Sequence, residues 1–177
     1  FNWQNYVKYE QGKLQVVQAE SVFAQAWQDL ILRVSQAYFD VLYAEEHLNY
    51  LRMSKATIFQ QLEQAKKNFE VGTATITDSQ EAQSRFDLAS AQEIVALNDL
   101  EVKRYALFTL VGKDLRDLNV LRTEATLNPP EPARMDAWLE AASQNNHLAR
   151  AQQVAAEIAA SEIENQRAGH YPTIDAV

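Results

Sequence analysis

Between Gly12 and Gly72 the chain contains neither glycine nor proline, and this uninterrupted run constrains the fold more than any other feature. Within it Phe23, Trp27, Leu30, Val34, Ala37, Val41, Ala44, Leu48, Leu51, Lys55, Ile58, Leu62, Ala65 and Phe69 alternate in steps of four and three. Lys55 alone among them is polar. A 3.5-residue period sustained this long predicts a coiled coil with a left-handed supercoil, because it keeps one apolar seam facing a partner. Leu48, Leu51, Ile58 and Leu62 are the expected helix-packing positions. A second partial stripe, Ile31, Tyr38, Leu42 and Tyr43, suggests neighbours on more than one side. The plainer alternative is a two-helix hairpin with a ragged surface.

A second breaker-free run lies between Gly72 and Gly112. Ala82, Phe86, Ala89, Glu93, Ala96, Leu100, Lys103, Leu107 and Leu110 form one seam along it. Leu88, Ala91, Val95, Asn98, Val102 and Tyr105 form another. Two seams on one helix suit a helix packed between two others, and the alanines allow close approach. The link between the runs is short, so the helices should be antiparallel neighbours. Gly72 can take φ > 0 at the end of the first helix. Thr77 or Asp78 is expected to cap the second, with Gln80 or Glu81 three residues on completing a capping box.

Helix lengths suggest the architecture. At ~1.5 Å per residue, 13–71 would span roughly 90 Å, 79–111 roughly 50 Å and 147–168 roughly 33 Å. One long helix is thus matched by two shorter ones placed end to end. The proline-containing stretch around Pro129, Pro130 and Pro132, with a small helix near Met135–Ala142, should bulge where they meet. The expected class is all-α: a long antiparallel coiled-coil hairpin over 1–112 with its turn at 71–78, a connecting segment with a short helix over 113–146, and a third helix over 147–177.

Composition excludes several function classes. The chain has 177 residues and a formal net charge of −8, which argues against a nucleic-acid footprint of clustered Lys and Arg. With 47% apolar and 23% charged residues it reads as an ordered protein. Mean hydropathy is −0.36, and no stretch approaches the roughly 18 consecutive apolar residues of a membrane-spanning helix. The absence of cysteine removes disulfides, thiolate metal sites and a cysteine nucleophile. His47, His147 and His170 lie in different expected elements without the spacing of a metal or acid–base site, so neither enzyme chemistry nor a cofactor is expected. The scattered glycines form no phosphate-cradling loop. Glu45 and Glu46 point about 100° apart on a helix and read as a solvated face. Trp3, Tyr6 and Tyr9 suit either a membrane-interface belt or packing at a helix end. The chain begins with Phe1, so any signal peptide is expected to have been removed already.

Three segments carry a family resemblance: Ala37-Tyr38-Phe39-Asp40-Val41-Leu42, then Phe69-Glu70-Val71-Gly72-Thr73-Ala74-Thr75-Ile76-Thr77-Asp78 running on through Gln80-Glu81-Ala82-Gln83-Ser84-Arg85-Phe86-Asp87, and Ala168-Gly169-His170-Tyr171-Pro172-Thr173-Ile174-Asp175 near the end. The chain resembles the TolC family of bacterial outer-membrane efflux proteins along nearly its whole length, and the turn is the most specific part. The resemblance implies a homotrimer in the full-length protein, with a β-barrel in the outer membrane and a helical barrel in the periplasm. Phe1-Asn2 would then be the last trace of one strand and 168–175 the junction into another. The leading helix, the barrel hairpins and a second repeat would lie in further sequence.

By the same resemblance the protein is a passive export duct, in drug efflux or type I secretion, working with a periplasmic adaptor and an inner-membrane pump. Thr77 and Asp78 match a pair that accepts hydrogen bonds from Tyr and Arg on a neighbouring helix pair and so latches the periplasmic entrance. Val71, Gly72 and Thr73 would form the adaptor-docking tip. The alternative is a non-channel periplasmic interaction protein, such as the coiled-coil hairpin of an adaptor, which should carry β-rich lipoyl-like flanks.

Overall fold

A computed structural model describes residues 2–115, 117–121 and 128–172. Their secondary structure is entirely helical: α1 (Trp3–Glu70), α2 (Ile76–Val111), α3 (Met135–Asn145) and α4 (His147–Ala168). Phe1 and Thr173-Ile174-Asp175, the expected strand traces, lie outside the described residues. The chain divides into two compact units, one of 1–31 with 124–177 and one of 32–123.

The second unit pairs the later part of α1 with α2. Val41, Ala44 and Leu48 of α1 bury with Ala96, Leu100 and Leu107 of α2, and Val34, Ala37, Leu51 and Leu118 pack partly buried against them. Leu62 is 2% exposed and Val41 fully buried, while Leu51 and Ile58 are half-buried. Phe59 and Phe86 meet with ring centroids 5.6 Å apart. The polar intruders in the two seams find each other: Lys55 Nζ lies 2.9 Å from Glu93 Oε2, and Arg52 Nε lies 3.1 Å from Glu93 Oε1. The Glu93 carboxyl is held below its usual range, first by Lys55 and then by Arg52. Farther along, Arg104 reaches Glu45 at 2.8 Å and Glu101 at 3.1 Å. After α2 the chain is tied back to α1, with the Tyr38 hydroxyl donating to Asn119 O at 2.5 Å.

In α2 only the first seam is covered. Leu88, Val95, Val102 and Tyr105 of the second are all exposed, Leu88 at 61%. The expected seam of α1 is likewise uncovered at its start, where Phe23 is 70% exposed and Trp27 and Leu30 are exposed too.

The first unit brings together 3–31 of α1 with α3 and α4. Here α1 turns inward a different stripe: Val7 and Ser21 are buried, and Gln11, Leu14 and Gln18 are partly so. From α4 come Ala151, Val154, Asn165 and Ala168. α3 buries nothing, and its Trp138 Nε1 donates to Pro132 O at 2.6 Å. Asn146 Oδ1 caps α4 by accepting from Ala149 N at 2.9 Å.

One boundary departs from expectation. α1 begins at Trp3, ten residues before 13, and runs straight through Gly12. A glycine inside a helix costs only about 0.5–1 kcal/mol relative to alanine, too little to end one so long. The start signal is Asn2, whose Oδ1 accepts from Gln4 N at 2.9 Å and Asn5 N at 3.4 Å.

The two seams of α2 should respond differently to truncation. Leu100→Ala, on the covered seam, should cost about 2–5 kcal/mol, whereas Leu88→Ala on the exposed one should stay within about 0.5 kcal/mol. Urea unfolding followed by circular dichroism measures both. Equal losses would mean that the isolated chain does not bury the seam described.

Candidate functional site

The turn joining α1 to α2 gathers most of the candidate residues, and its geometry follows from one glycine and one threonine. α1 ends in a Schellman motif: Gly72 N donates to Phe69 O at 2.9 Å and Thr73 N to Asn68 O at 2.8 Å. Gly72 sits at φ +76°, where an L side chain is strained, although a Cβ there would meet nothing within 4 Å. Asn68 O also accepts from Ala74 N at 3.2 Å and from Thr73 Oγ1 at 3.0 Å, so the last carbonyls of α1 are satisfied. Val71, Gly72 and Thr73 stand exposed around this cap.

The start of α2 corrects the sequence expectation. The N-cap is Thr75, in extended conformation, and not Thr77 or Asp78. Asp78 is the N3 partner in the box, the place assigned above to Gln80 or Glu81. Thr75 Oγ1 accepts from Asp78 N at 3.3 Å, and Asp78 Oδ2 accepts from Thr75 N at 2.8 Å and from Thr75 Oγ1 at 2.8 Å. The physical reason is economy of backbone. The Schellman motif satisfies the chain as far as Ala74, so the next residue with an acceptor side chain is free to begin a helix. The Thr75-x-x-Asp78 spacing carries this box in the sequence, with Asp in the place that Glu or Gln takes in the commoner form.

Thr77 and Asp78 are both exposed. Among the described residues the Thr77 hydroxyl makes no hydrogen bond. All the bonds of Asp78 fall on Oδ2, leaving Oδ1 open. The Thr75 amide, followed by the Thr75 hydroxyl, holds the Asp78 carboxyl below its ordinary value, so the group is ionised at neutral pH. Asp78, Glu81, Ala82 and Arg85 of α2, with Ile58 and Gln61 of α1, line an open groove of about 220 Å³ beside the turn. Arg85 pairs with Glu81 at 2.5 Å on its wall. Leu48, Leu51, Ile58 and Leu62 lie on the hairpin and not in the turn.

No group of three or more His, Asp and Glu side chains among the described residues is placed to hold a metal ion. None of the described helices is long and apolar enough to cross a membrane. What the turn offers is a small, backbone-rich knob with an anionic acceptor and a free hydroxyl beside it. Such a surface can accept hydrogen bonds from donors on a partner.

The sequence has relatives among known proteins. Residues 1–113 match the family model described as outer membrane efflux protein. The chain belongs to that family. It is 35% identical over 170 residues to the outer membrane protein TolC of Vibrio cholerae, covering 96% of this chain and 39% of that protein. It is 31% identical over 176 residues to the alkaline protease secretion protein AprF of Pseudomonas aeruginosa, covering 98% of this chain and 37% of that protein. The proteases secretion protein PrtF of Dickeya chrysanthemi is 29% identical over 175 residues, 97% of this chain and 38% of that protein. The chain therefore spans less than two-fifths of the length of these family members.

The cap assignment carries its own test. Thr75→Ala should cost about 0.5–2 kcal/mol, the usual worth of an N-cap, while Thr77→Ala stays within about 0.5 kcal/mol. Because the Asp78 pKa is depressed on folding, its contribution is present above the unfolded value near ~3.9 and is lost as pH falls through the folded one. Hydrogen-exchange protection of the Thr75 amide should hold from neutral pH down to about pH 4 and decline below it. A decline starting near pH 6 would exclude this carboxylate as the cause.

Proposed function

We propose that this chain is the periplasmic part of an outer-membrane channel that acts as a passive export duct, in drug efflux or type I secretion. The observation that carries the reading is the hairpin itself: one seam of α2 is spent on α1, and a second, shorter seam from Leu88 to Tyr105 remains exposed for a further helix. Family membership supports it, and relatives named for protease secretion favour export as the task. The adaptor alternative fits less well, because 147–168 form a third helix where an adaptor hairpin should return to β-rich flanks.

In the full-length protein three copies close the helical wall, and barrel strands outside 2–172 hold it in the outer membrane. The chain then falls into a hairpin of 1–112, an equatorial segment of 113–146, and 147–177, in which α4 leads toward a barrel strand. The duct turns over no substrate and needs no cofactor; its energy comes from an inner-membrane pump coupled through a periplasmic adaptor. Thr77 and Asp78 serve as the entrance latch. Asp78 Oδ1 is free to accept a charge-assisted bond from Arg or Tyr of a neighbouring helix pair while Oδ2 keeps the cap. Val71, Gly72 and Thr73 form the docking tip, where the absence of bulk lets an adaptor approach the backbone.

The full-length channel in planar bilayers tests the latch. Asp78→Ala should raise the resting single-channel conductance. Thr75→Ala, which damages the cap but keeps the carboxylate, should raise it far less. Equal effects would reduce Asp78 to a helix cap. Gly72→Trp should abolish export at unchanged trimer yield, and continued export would remove the tip from the docking surface.

A further inference from the structure

The two units are held by different chemistry. In the second, α1 and α2 share leucines, whose branched side chains interlock in one register. In the first, the buried side chains between α1 and α4 are small: Val7 and Ser21 on one side, Ala151, Val154 and Ala168 on the other. A seam whose most buried positions are this small, with Leu14 and Ile158 only partly buried in it, discriminates poorly between registers, because a shift of one heptad sets small side chains against small side chains again.

Set into that seam is one polar cluster. Gln11 Nε2, from α1, donates to Glu162 Oε2 at 3.2 Å and to Ile158 O at 3.4 Å. Asn165 Nδ2 donates to both Glu162 oxygens at 3.2 Å, and Gln166 Nε2 to Oε1 at 2.6 Å. Asn165 is only 6% exposed, and its Oδ1 is buried without a partner among the described residues. A buried amide oxygen left unpaired costs stability, so this asparagine is a poor choice for strength alone. A costly polar residue inside an apolar helix seam has one well-attested use: it makes every wrong register worse than the right one.

We propose that Glu162 is the register key of the first unit, a positioning residue that fixes where along α1 the helix α4 stands. Gln11 is its counterpart on α1, and Asn165 and Gln166 hold its carboxylate in place. In this register the end of α4 lies over the beginning of α1: a Cβ on Gly169 would come within 3.9 Å of Gln4 Nε2. A slip of one heptad would displace that end by about 10 Å. The inference goes beyond the export reading and stands on the geometry of this unit alone.

The natural absence of cysteine allows clean spin labelling. Nitroxides on Gln15→Cys and Ala159→Cys, both exposed positions, report the offset of α4 along α1 by double electron–electron resonance. The otherwise unaltered chain should give one distance population. The Glu162→Leu/Asn165→Leu variant should keep its helicity and its melting temperature, yet show a second, longer or shorter distance population, because α4 slips along α1 by one turn to one heptad, about 5–10 Å. Glu162→Gln, which retains an acceptor oxygen, should restore the single population. If the double variant fails to fold, Gln11→Met decides, since it removes the grip from α1 and leaves α4 untouched. A single, unshifted distance in whichever variant folds overturns the proposal and leaves the cluster a surface feature of α4. Export assays play no part in this readout, so the failure of either reading is recognised separately.

Discussion

Everything in the second unit depends on one contact, the leucine-and-alanine seam between α1 and α2. A helix of 68 residues has no interior of its own, and its backbone hydrogen bonds give only a small net stabilisation in water. Burial must come from a neighbour, and along this stretch of α1 the neighbour is α2. Alanine at 89 and 96 draws the axes together, and Leu48, Leu62, Leu100 and Leu107 fill what remains. The Lys55–Glu93 pair then discourages slippage, since any other register would leave a lysine or a glutamate facing apolar side chains.

This seam was legible in the sequence because its signal is apolar and periodic. The burial of Val41, Ala44, Leu48 and Leu62 falls on positions that the heptad count picks out, and so does that of Ala89, Ala96, Leu100 and Leu107. Even the intrusions carry information: Lys55 breaks one seam, Glu93 and Lys103 break the other, and the pair of opposite charge, Lys55 and Glu93, meets across the contact. The contact in the first unit was not legible for the converse reason. Its stripe on α1 contains Gln11, Gln18 and Ser21, which no hydrophobic count selects, so the heptad was extended through Phe23, Trp27 and Leu30 instead. Those three are exposed. Periodicity shows where a helix is apolar, and a polar contact between helices leaves no such trace.

The turn was half legible. Gly72 marked the end of α1 because few residues tolerate φ near +76°, and the chain does adopt it there. The N-cap of α2 lies two or three residues before the expected one, since Thr73, Thr75, Thr77 and Asp78 can all cap in principle. What selects Thr75 is the preceding motif, which commits the amides of Thr73 and Ala74 to Asn68 O. Capping residues compete, and the winner is set by how far the previous helix has already used the backbone.

That selection bears on whether one aspartate can both build the turn and contact a neighbour. Had Asp78 been the N-cap, its carboxylate would have leaned back over the amides of its own helix, with its approach set by the cap. As the N3 partner it reaches toward Thr75 through Oδ2 alone, and the depressed pKa keeps it anionic at neutral pH. A carboxylate oxygen offers two acceptor directions, so Oδ1 retains its full capacity for a donor from outside the chain. Its negative charge also lies in the first turn of α2, where the helix dipole favours it. The cap thus orients the carboxylate and stabilises its charged form without consuming the oxygen that an external contact needs. The structural role at Asp78 and the proposed binding role are therefore compatible, because they use different oxygens of one carboxylate.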